Sequence, residues 1–176
     1  MITIKELFTI YWSQFTIILL GLGYFIKRLF DSISKKNEIN HTLFQQKRLD
    51  AVNKFYLNYS DAQQMWKNIS TLNIFQNNLS AIEIDKIIQP HINSLKSNIL
   101  ELQIYFDQKE HNLFQRIFNN IENVNQKLST LYFDYDEKNS VVQKSNSFHT
   151  FRAEKLKDNE TIFIELSVII KETFKS

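Results

Sequence analysis

The apolar residues of this chain follow two different patterns, one before and one after about residue 30. Residues 7–26 form an unbroken run of twenty uncharged residues, rich in Ile, Leu and Phe. A helix rises about 1.5 Å per residue, so this run would span roughly 30 Å, the hydrocarbon thickness of a bilayer. The pattern predicts an N-terminal transmembrane segment within residues 1–30 and a separate helical domain over residues 31–176.

The residues that flank this run predict its orientation. Tyr11, Trp12 and Tyr24 lie near its two ends, where aromatic rings favour the membrane interface. Because basic residues collect on the cytoplasmic side, we expect a single-pass protein of a bacterial inner membrane with a cytoplasmic C-terminal domain. A cleaved signal peptide and a buried core helix are the alternatives. The cations before and after the run are unequal in number: Lys5 precedes it, and Lys27, Arg28, Lys35 and Lys36 follow it.

Several small or polar residues of the run, together with Leu20 and the following Lys27, share one side of the predicted helix. They recur at steps of four, three, four, three and four, which keeps them on one face. This stripe could pack closely against other helices, or it could line a water-filled path at the centre of a ring of helices. A third interpretation is that its hydroxyls bond to their own helix backbone. The stripe consists of Thr9, Ser13, Thr16, Leu20, Gly23 and Lys27.

The remainder of the chain predicts a bundle of about four helices. The chain has two glycines and one proline, and sheets need more turns than so few can supply. Apolar residues recur at steps of three and four, which is typical of helices that bury one face. We expect an all-α fold. The predicted core residues are Leu49, Val52, Tyr56, Tyr59, Trp66, Ile69, Ile92, Leu95, Ile99, Leu102, Phe106, Phe114, Ile117, Ile121, Val124, Leu128, Leu131, Phe148, Phe151, Ile162, Leu166, Ile169 and Phe174.

Local signals place the ends of these helices. The first helix is predicted to reach about Asn73, and residues 77–80 to form a break. Ser80 and Glu83 have the spacing of a capping box. Pro90 should kink or restart the helix that follows, because proline lacks an amide donor. The polar residues 134–146 predict a loop, and a last helix is expected over 147–174.

Few kinds of chemistry are open to this composition. There is no cysteine, so a disulfide framework or a thiolate metal site is excluded. Glycine occurs only at positions 21 and 23, which excludes a phosphate-binding loop outside the membrane segment. No histidine pair has metal-ligand spacing. We therefore expect no cofactor and no metal site, and the net charge of +2 does not by itself indicate nucleic acid.

One cluster of polar residues in the last helix could contact a phosphate backbone. His149 and Arg152 are three residues apart and share a face, and Lys157 follows five residues after Arg152. Two cations and an imidazole can bind phosphate, whereas a protonated lysine offers no general base. The alternative is an ordinary solvated basic face.

This layout resembles the small membrane accessory protein of type VI-B CRISPR loci, which is encoded beside an RNA-guided RNA nuclease. The resemblance consists of an N-terminal membrane helix, an all-helical domain and an arginine motif in the last helix. It implies a divergent HEPN-like domain. In active HEPN ribonucleases an arginine and a histidine, four to six residues apart, meet across a dimer. Arg152 matches the arginine, but Lys157 stands where the histidine is expected, so we expect no enzyme activity.

The resemblance implies a homo-oligomeric ring in the lipid bilayer that forms a pore and strengthens antiviral defence by the partner nuclease. RNA remains a further candidate partner of the retained HEPN-like domain. Two other interpretations stay open. One is a membrane-tethered HEPN-type ribonuclease, and the other is a membrane-anchored helical adaptor that recruits a cytoplasmic partner.

Overall fold

Helices account for all the regular secondary structure that a computed structural model describes over residues 4–134 and 140–173. Side chains 4, 5, 7–10, 13, 15 and 173 are not among the described atoms. No strand occurs in the described ranges, so the predicted all-α fold is confirmed. The helices, in chain order, are α1 (Ile4–Asn68), α2 (Thr71–Phe75), α3 (Ala81–Tyr105), α4 (Gln108–Tyr132) and α5 (Val141–Thr173).

The chain divides into two units, residues 1–46 and residues 47–176. Helix α1 runs without a break from Ile4 to Asn68 and so contributes residues to both units. Within the first unit, none of the described side chains is buried, and only Gln45 is half-buried. Among the residues searched, which are the described ones, no helix has the length and apolar character needed to cross a bilayer.

The second unit has a dense core in which α4 packs against both α3 and α5. Phe114 of α4 is fully buried, and its ring centroid lies 5.1 Å from that of Phe55 and 5.1 Å from that of Phe106. The predicted core residues of α3 and α4 are all buried. Leu49 was predicted as core but is 44% exposed, whereas the predicted Val52 is buried, as are the unpredicted Ala51 and Phe55. Phe174 lies outside the described residues.

A buried ion pair joins the first residues of this unit to α4. Arg48 donates from Nη2 to Glu110 Oε2 at 3.0 Å, and the two side chains are only 10% and 14% exposed. The guanidinium carbon of Arg48 also lies 4.2 Å from the centre of the Phe106 ring. A paired charge stacked on an aromatic face can be buried at tolerable cost. The interaction therefore fixes the register of α1 against α4.

Capping residues begin the helices α3, α4 and α5. The capping box predicted from Ser80 and Glu83 is present, and so is the predicted break before it. Asp107 and Glu110 form an equivalent box at the start of α4, with Glu110 N donating to Asp107 Oδ1 at 2.8 Å. Ser140 N donates to Gln143 Oε1 at 2.8 Å. This contact begins α5 at Val141, so the predicted loop over 134–146 and the predicted helix start at 147 are both wrong by several residues.

Two predicted interruptions also differ from the structure. Helix α3 continues through Pro90 as one element rather than restarting there. The missing amide bond costs about 3 kcal/mol, and burial of Ile88 and Ile92 on either side of Pro90 offsets that cost, since each buried side chain contributes about 1.5–3 kcal/mol. Helix α1 was predicted to reach about Asn73 but ends at Asn68, and Ser70 caps the short helix α2 that follows.

Candidate functional site

The polar stripe of α1 is one of two regions that the sequence marks as functional. The side chains of Thr9 and Ser13 are not among the described atoms. Thr16 Oγ1 donates to the carbonyl oxygen of Trp12 at 2.9 Å, which is the backbone bond that one interpretation of the stripe expected. Leu20 is 70% exposed, and a Cβ added at Gly23 would meet nothing within 4 Å. The described part of the stripe therefore presents an open surface.

Arg152 is half-buried and contacts the end of α1. Its Nη1 donates to the carbonyl oxygen of Trp66 at 3.1 Å. Trp66 lies in the last turn of α1, where carbonyl groups lack intrahelical partners. The guanidinium is half-buried, and this burial lowers the pKa of Arg152 from its usual value. A cation at a helix C-terminus is favourable, so Arg152 ties α5 to the end of α1.

His149 reaches the same junction from one turn earlier in α5. Its Nε2 lies 3.1 Å from the hydroxyl of Thr71, the first residue of α2. That hydroxyl lies 2.8 Å from Ser145 Oγ, and both hydroxyl-bearing residues are buried. The predicted grouping of His149 with Arg152 is thus present, and both side chains hold the segment that joins α1 to α2.

Lys157 does not join this group. Five residues along a helix turn through about 500°, which places Lys157 about 140° around α5 from Arg152. The side chain of Lys157 is exposed. Within this chain, the arginine and the lysine of the divergent HEPN-like motif therefore belong to different surfaces.

Two surface grooves were missed by the sequence reasoning. One, of about 430 Å³, has a mostly apolar floor and lies between the end of α1 and α3. The other, of about 540 Å³, is mostly polar and lies between α4 and α5. Both depend on which helices are neighbours, so no local pattern could have found them. The first is lined by Asp61, Met65, Ile69, Leu79, Ile87 and His91, and the second by Arg116, Asn119, Asn120, Asp158, Thr161 and Glu165.

The histidines show no metal-binding arrangement. Over the described residues, no three His, Cys, Asp or Glu side chains lie close enough to hold a metal ion. His111 is buried and its Nε2 lies 3.0 Å from the carbonyl oxygen of Ile99, a partner that accounts for its burial. No known protein family matches the chain, and neither does any curated protein or any solved structure.

Proposed function

We propose that this protein is a membrane-anchored accessory of an RNA-targeting CRISPR defence, and that copies of it assemble through α1 into a pore across the bacterial inner membrane. One observation carries the proposal. The spacing along the unbroken helix α1 brings Thr16, Gly23 and Lys27 to one side, while large apolar side chains occupy much of the remaining surface. These apolar side chains are 53–68% exposed: Ile17, Ile18, Leu19, Leu22, Phe25 and Ile26.

Lipid is a suitable environment for this surface. Each Å² of apolar surface that leaves water contributes roughly 25 cal/mol, so exposed Ile, Leu and Phe side chains favour transfer into hydrocarbon. A helix bonds its own backbone groups and can cross a bilayer without further partners. The uncharged run over residues 7–26 matches the required length.

The stripe supports assembly beyond a single anchor. A lone helix in lipid gains nothing by collecting its small and polar residues on one side. Helices that approach one another closely, or that surround water, do gain from this arrangement. Leu20, Gly23 and Lys27 lie on the stripe and, like every other described side chain of residues 11–44, are exposed and available for contact with sister copies or with a central water path.

Vesicle leakage tests the pore. Full-length protein reconstituted in liposomes should release a trapped dye. Thr9/Ser13/Thr16→Leu should slow this release about tenfold, because the substitutions remove three hydroxyl groups from the lumen. The matched control is Ile17/Ile18/Ile26→Leu, which keeps the membrane segment apolar and should leak like the unaltered protein. Equal leakage from both triple variants would remove the stripe from the mechanism, and no leakage from the unaltered protein would refute the pore.

The ribonuclease alternative is less consistent with the second unit. Arg152 is bonded to the Trp66 carbonyl, and Lys157 lies on another side of α5. We expect no cleavage when the protein is incubated with RNA. Cleavage that disappears in Arg152→Ala would replace our proposal with the ribonuclease. Binding of RNA without cleavage would agree with the proposal, because RNA is a candidate partner of the retained fold.

Two further observations distinguish the proposal from an adaptor. In mild detergent we expect an oligomer by light scattering, whereas a monomer would favour a membrane-anchored adaptor. The neighbouring genes should include a CRISPR array and a large RNA-guided RNA nuclease. A nuclease-dependent loss of phage protection when this gene is deleted would support the accessory function.

A further inference from the structure

Three separate segments form the walls of the groove between the end of α1 and α3. Met65 and Ile69 come from the end of α1, Ile87 and His91 from α3, and Leu79 from the connection between α2 and α3. The groove measures about 430 Å³, within the range of roughly 300–1,000 Å³ that is common for small-molecule sites. All of its residues belong to the second unit, so the groove is independent of the proposed pore.

The connection between α2 and α3 is held in place against the rest of the second unit. Asn77 has a φ of 58°, a left-handed conformation that lets the chain turn after α2. Tyr132 Oη donates to the carbonyl oxygen of Leu79 at 3.1 Å, which ties the connection to α4. The capping box of Ser80 and Glu83 follows directly. The wall to which Leu79 belongs is therefore fixed by contacts within the chain.

The floor and the rim of the groove differ in chemistry. Met65 is 7% exposed and Ile87 is 42% exposed, and both offer apolar surface. The flexible thioether of methionine adapts to bound groups of irregular shape. Polar side chains of α1 line the groove at steps of three and four, namely Asp61, Gln64 and Asn68. An apolar surface beside a few polar groups is the usual composition of a ligand pocket.

The polar rim favours positive charge. Among the described residues that line the groove, Asp61 carries the one carboxylate, and there is no lysine or arginine. Asp61 is exposed, and the ion pairs between described residues use other carboxylates. Helix α1 ends at Asn68 on the same rim, and the carbonyl groups at a helix C-terminus also favour a cation.

We propose that this groove binds a small primary amine with an aliphatic body. The ammonium group pairs with Asp61, and the aliphatic chain lies against Met65 and Ile87. Quaternary ammonium groups are recognised by aromatic rings, and no phenylalanine, tyrosine or tryptophan is among the described residues that line the groove. An organic anion would meet a carboxylate and no cation, whereas a neutral alcohol would gain the apolar contact alone.

The two methionines of the chain provide a direct readout. Met65 lies in the groove, whereas Met1 is the first residue of the chain. Full-length protein in mild detergent, labelled with carbon-13 at the methionine methyl groups, is titrated with n-hexylamine at neutral pH, and Met65→Leu assigns the two NMR signals. We expect a saturable shift of the Met65 signal alone. n-Butylamine should bind about tenfold more weakly, because it removes two methylene groups fewer from water.

Matched variants separate the charge from the apolar contact. Asp61→Asn should weaken binding of n-hexylamine about threefold and leave binding of hexanol unchanged. Asp50→Asn, at an exposed carboxylate of the same helix outside the groove, should alter neither. Ile87→Asn should weaken both ligands about fivefold. Its control is Ile82→Asn, because Ile82 is 69% exposed and does not line the groove.

Several results would overturn this inference without affecting the proposed pore. Equal affinity for n-hexylamine and hexanol, or tighter binding of hexanoate, would refute the assigned ligand class. A Met65 signal that never saturates, or the same loss of affinity in Asp61→Asn and Asp50→Asn, would show that the groove is not the binding site. A Met65 signal that shifts with protein concentration before amine is added would assign the groove to contact between copies instead.

Discussion

The two units of this protein use the same helical periodicity to opposite effect. Among the described residues of 47–176, twenty-six apolar side chains are buried in one core, including Phe114 and Trp66, although others such as Ile104 stay exposed. In the first unit the described apolar side chains stay exposed, with Leu20 at 70% and Phe30 at 66%. A helix of regular pattern is therefore stabilised by its own chain in one unit and lacks that stabilisation in the other.

The hydrogen-bond partners of polar residues also differ between the two units. In the second unit, Asn159 is 1% exposed, accepts from Asn120 Nδ2 at 2.7 Å and donates to Tyr59 Oη at 3.4 Å. Buried polar groups that are fully paired fix the register between helices. In the first unit, Thr16 bonds within its own helix. The second unit specifies its arrangement internally, whereas the first leaves its polar side available to its surroundings.

This comparison indicates where substitutions should matter. Changes inside residues 47–176 should alter the free energy of unfolding, because they remove contacts within the chain. Changes in the first unit should leave the free energy of unfolding in detergent nearly unaltered. They should instead affect assembly or leakage. Matched substitutions in the two units test this distinction.

The largest expected effect follows from the core aromatic residues. Phe114→Ala should lower the free energy of unfolding by about 3–5 kcal/mol, because it empties a fully packed position. Phe25→Ala, at a side chain 65% exposed, should change it by less than about 0.5 kcal/mol. Chemical denaturation in mild detergent, followed by fluorescence of buried Trp66 in a Trp12→Phe background, measures both. A comparable loss from both variants would show that the first unit also depends on contacts within the chain.

The buried ion pair should give the next largest effect. Glu110→Gln removes the carboxylate beside the buried Arg48 guanidinium and should cost about 3 kcal/mol. The exposed pair of Lys54 and Glu101 is the control, and Glu101→Gln should cost less than about 1 kcal/mol. The same denaturation experiment applies. If both substitutions cost the same, burial of the first pair does not determine its contribution.

A smaller effect is expected at the junction between α1 and α2. Arg152→Met should lower the free energy of unfolding by about 1.5–3 kcal/mol, because the Trp66 carbonyl loses a charged donor. Lys157→Met should have almost no effect, since Lys157 is exposed. Both proteins should fail to cleave RNA. If only Lys157→Met weakened folding, our assignment of Arg152 as the structural contact would be wrong.

The smallest effect concerns the start of α3 and its dependence on pH. Hydrogen bonds from Ser80 hold the pKa of Glu83 below its ordinary value. A lowered folded-state pKa means that this stabilisation is present at neutral pH, above the unfolded-state pKa. It is lost as the pH falls through the folded-state value. Ser80→Ala keeps the backbone N–H that donates to Glu83 Oε2 and removes only the hydroxyl donor, so it should raise the pKa of Glu83 part of the way toward its ordinary value, which carboxyl NMR titration can measure. An unchanged pKa would contradict a contribution from the Ser80 hydroxyl.

Much of the fold was evident in the sequence because it depends on local rules. The steps of three and four predicted the buried faces of α3 and α4, and the spacing of Ser80 and Glu83 predicted a helix start. The same spacing occurs at Asp107 and Glu110, where α4 begins. The membrane segment predicted over residues 7–26 rests on their uncharged composition, and no helix of the described residues has the length and apolar character to cross a bilayer.

Contacts between distant residues decided the rest. The partner of Arg152 is a carbonyl 86 residues away, and the partner of Arg48 lies 62 residues along the chain. No local pattern encodes such pairs. Tertiary packing likewise kept α3 continuous through Pro90 and left Leu49 exposed. The number of long helices and their apolar faces follow from the sequence, because helical periodicity depends on neighbours within a few residues. Only the folded chain determined which polar groups meet, because hydrogen bonds and ion pairs require particular helices to lie side by side.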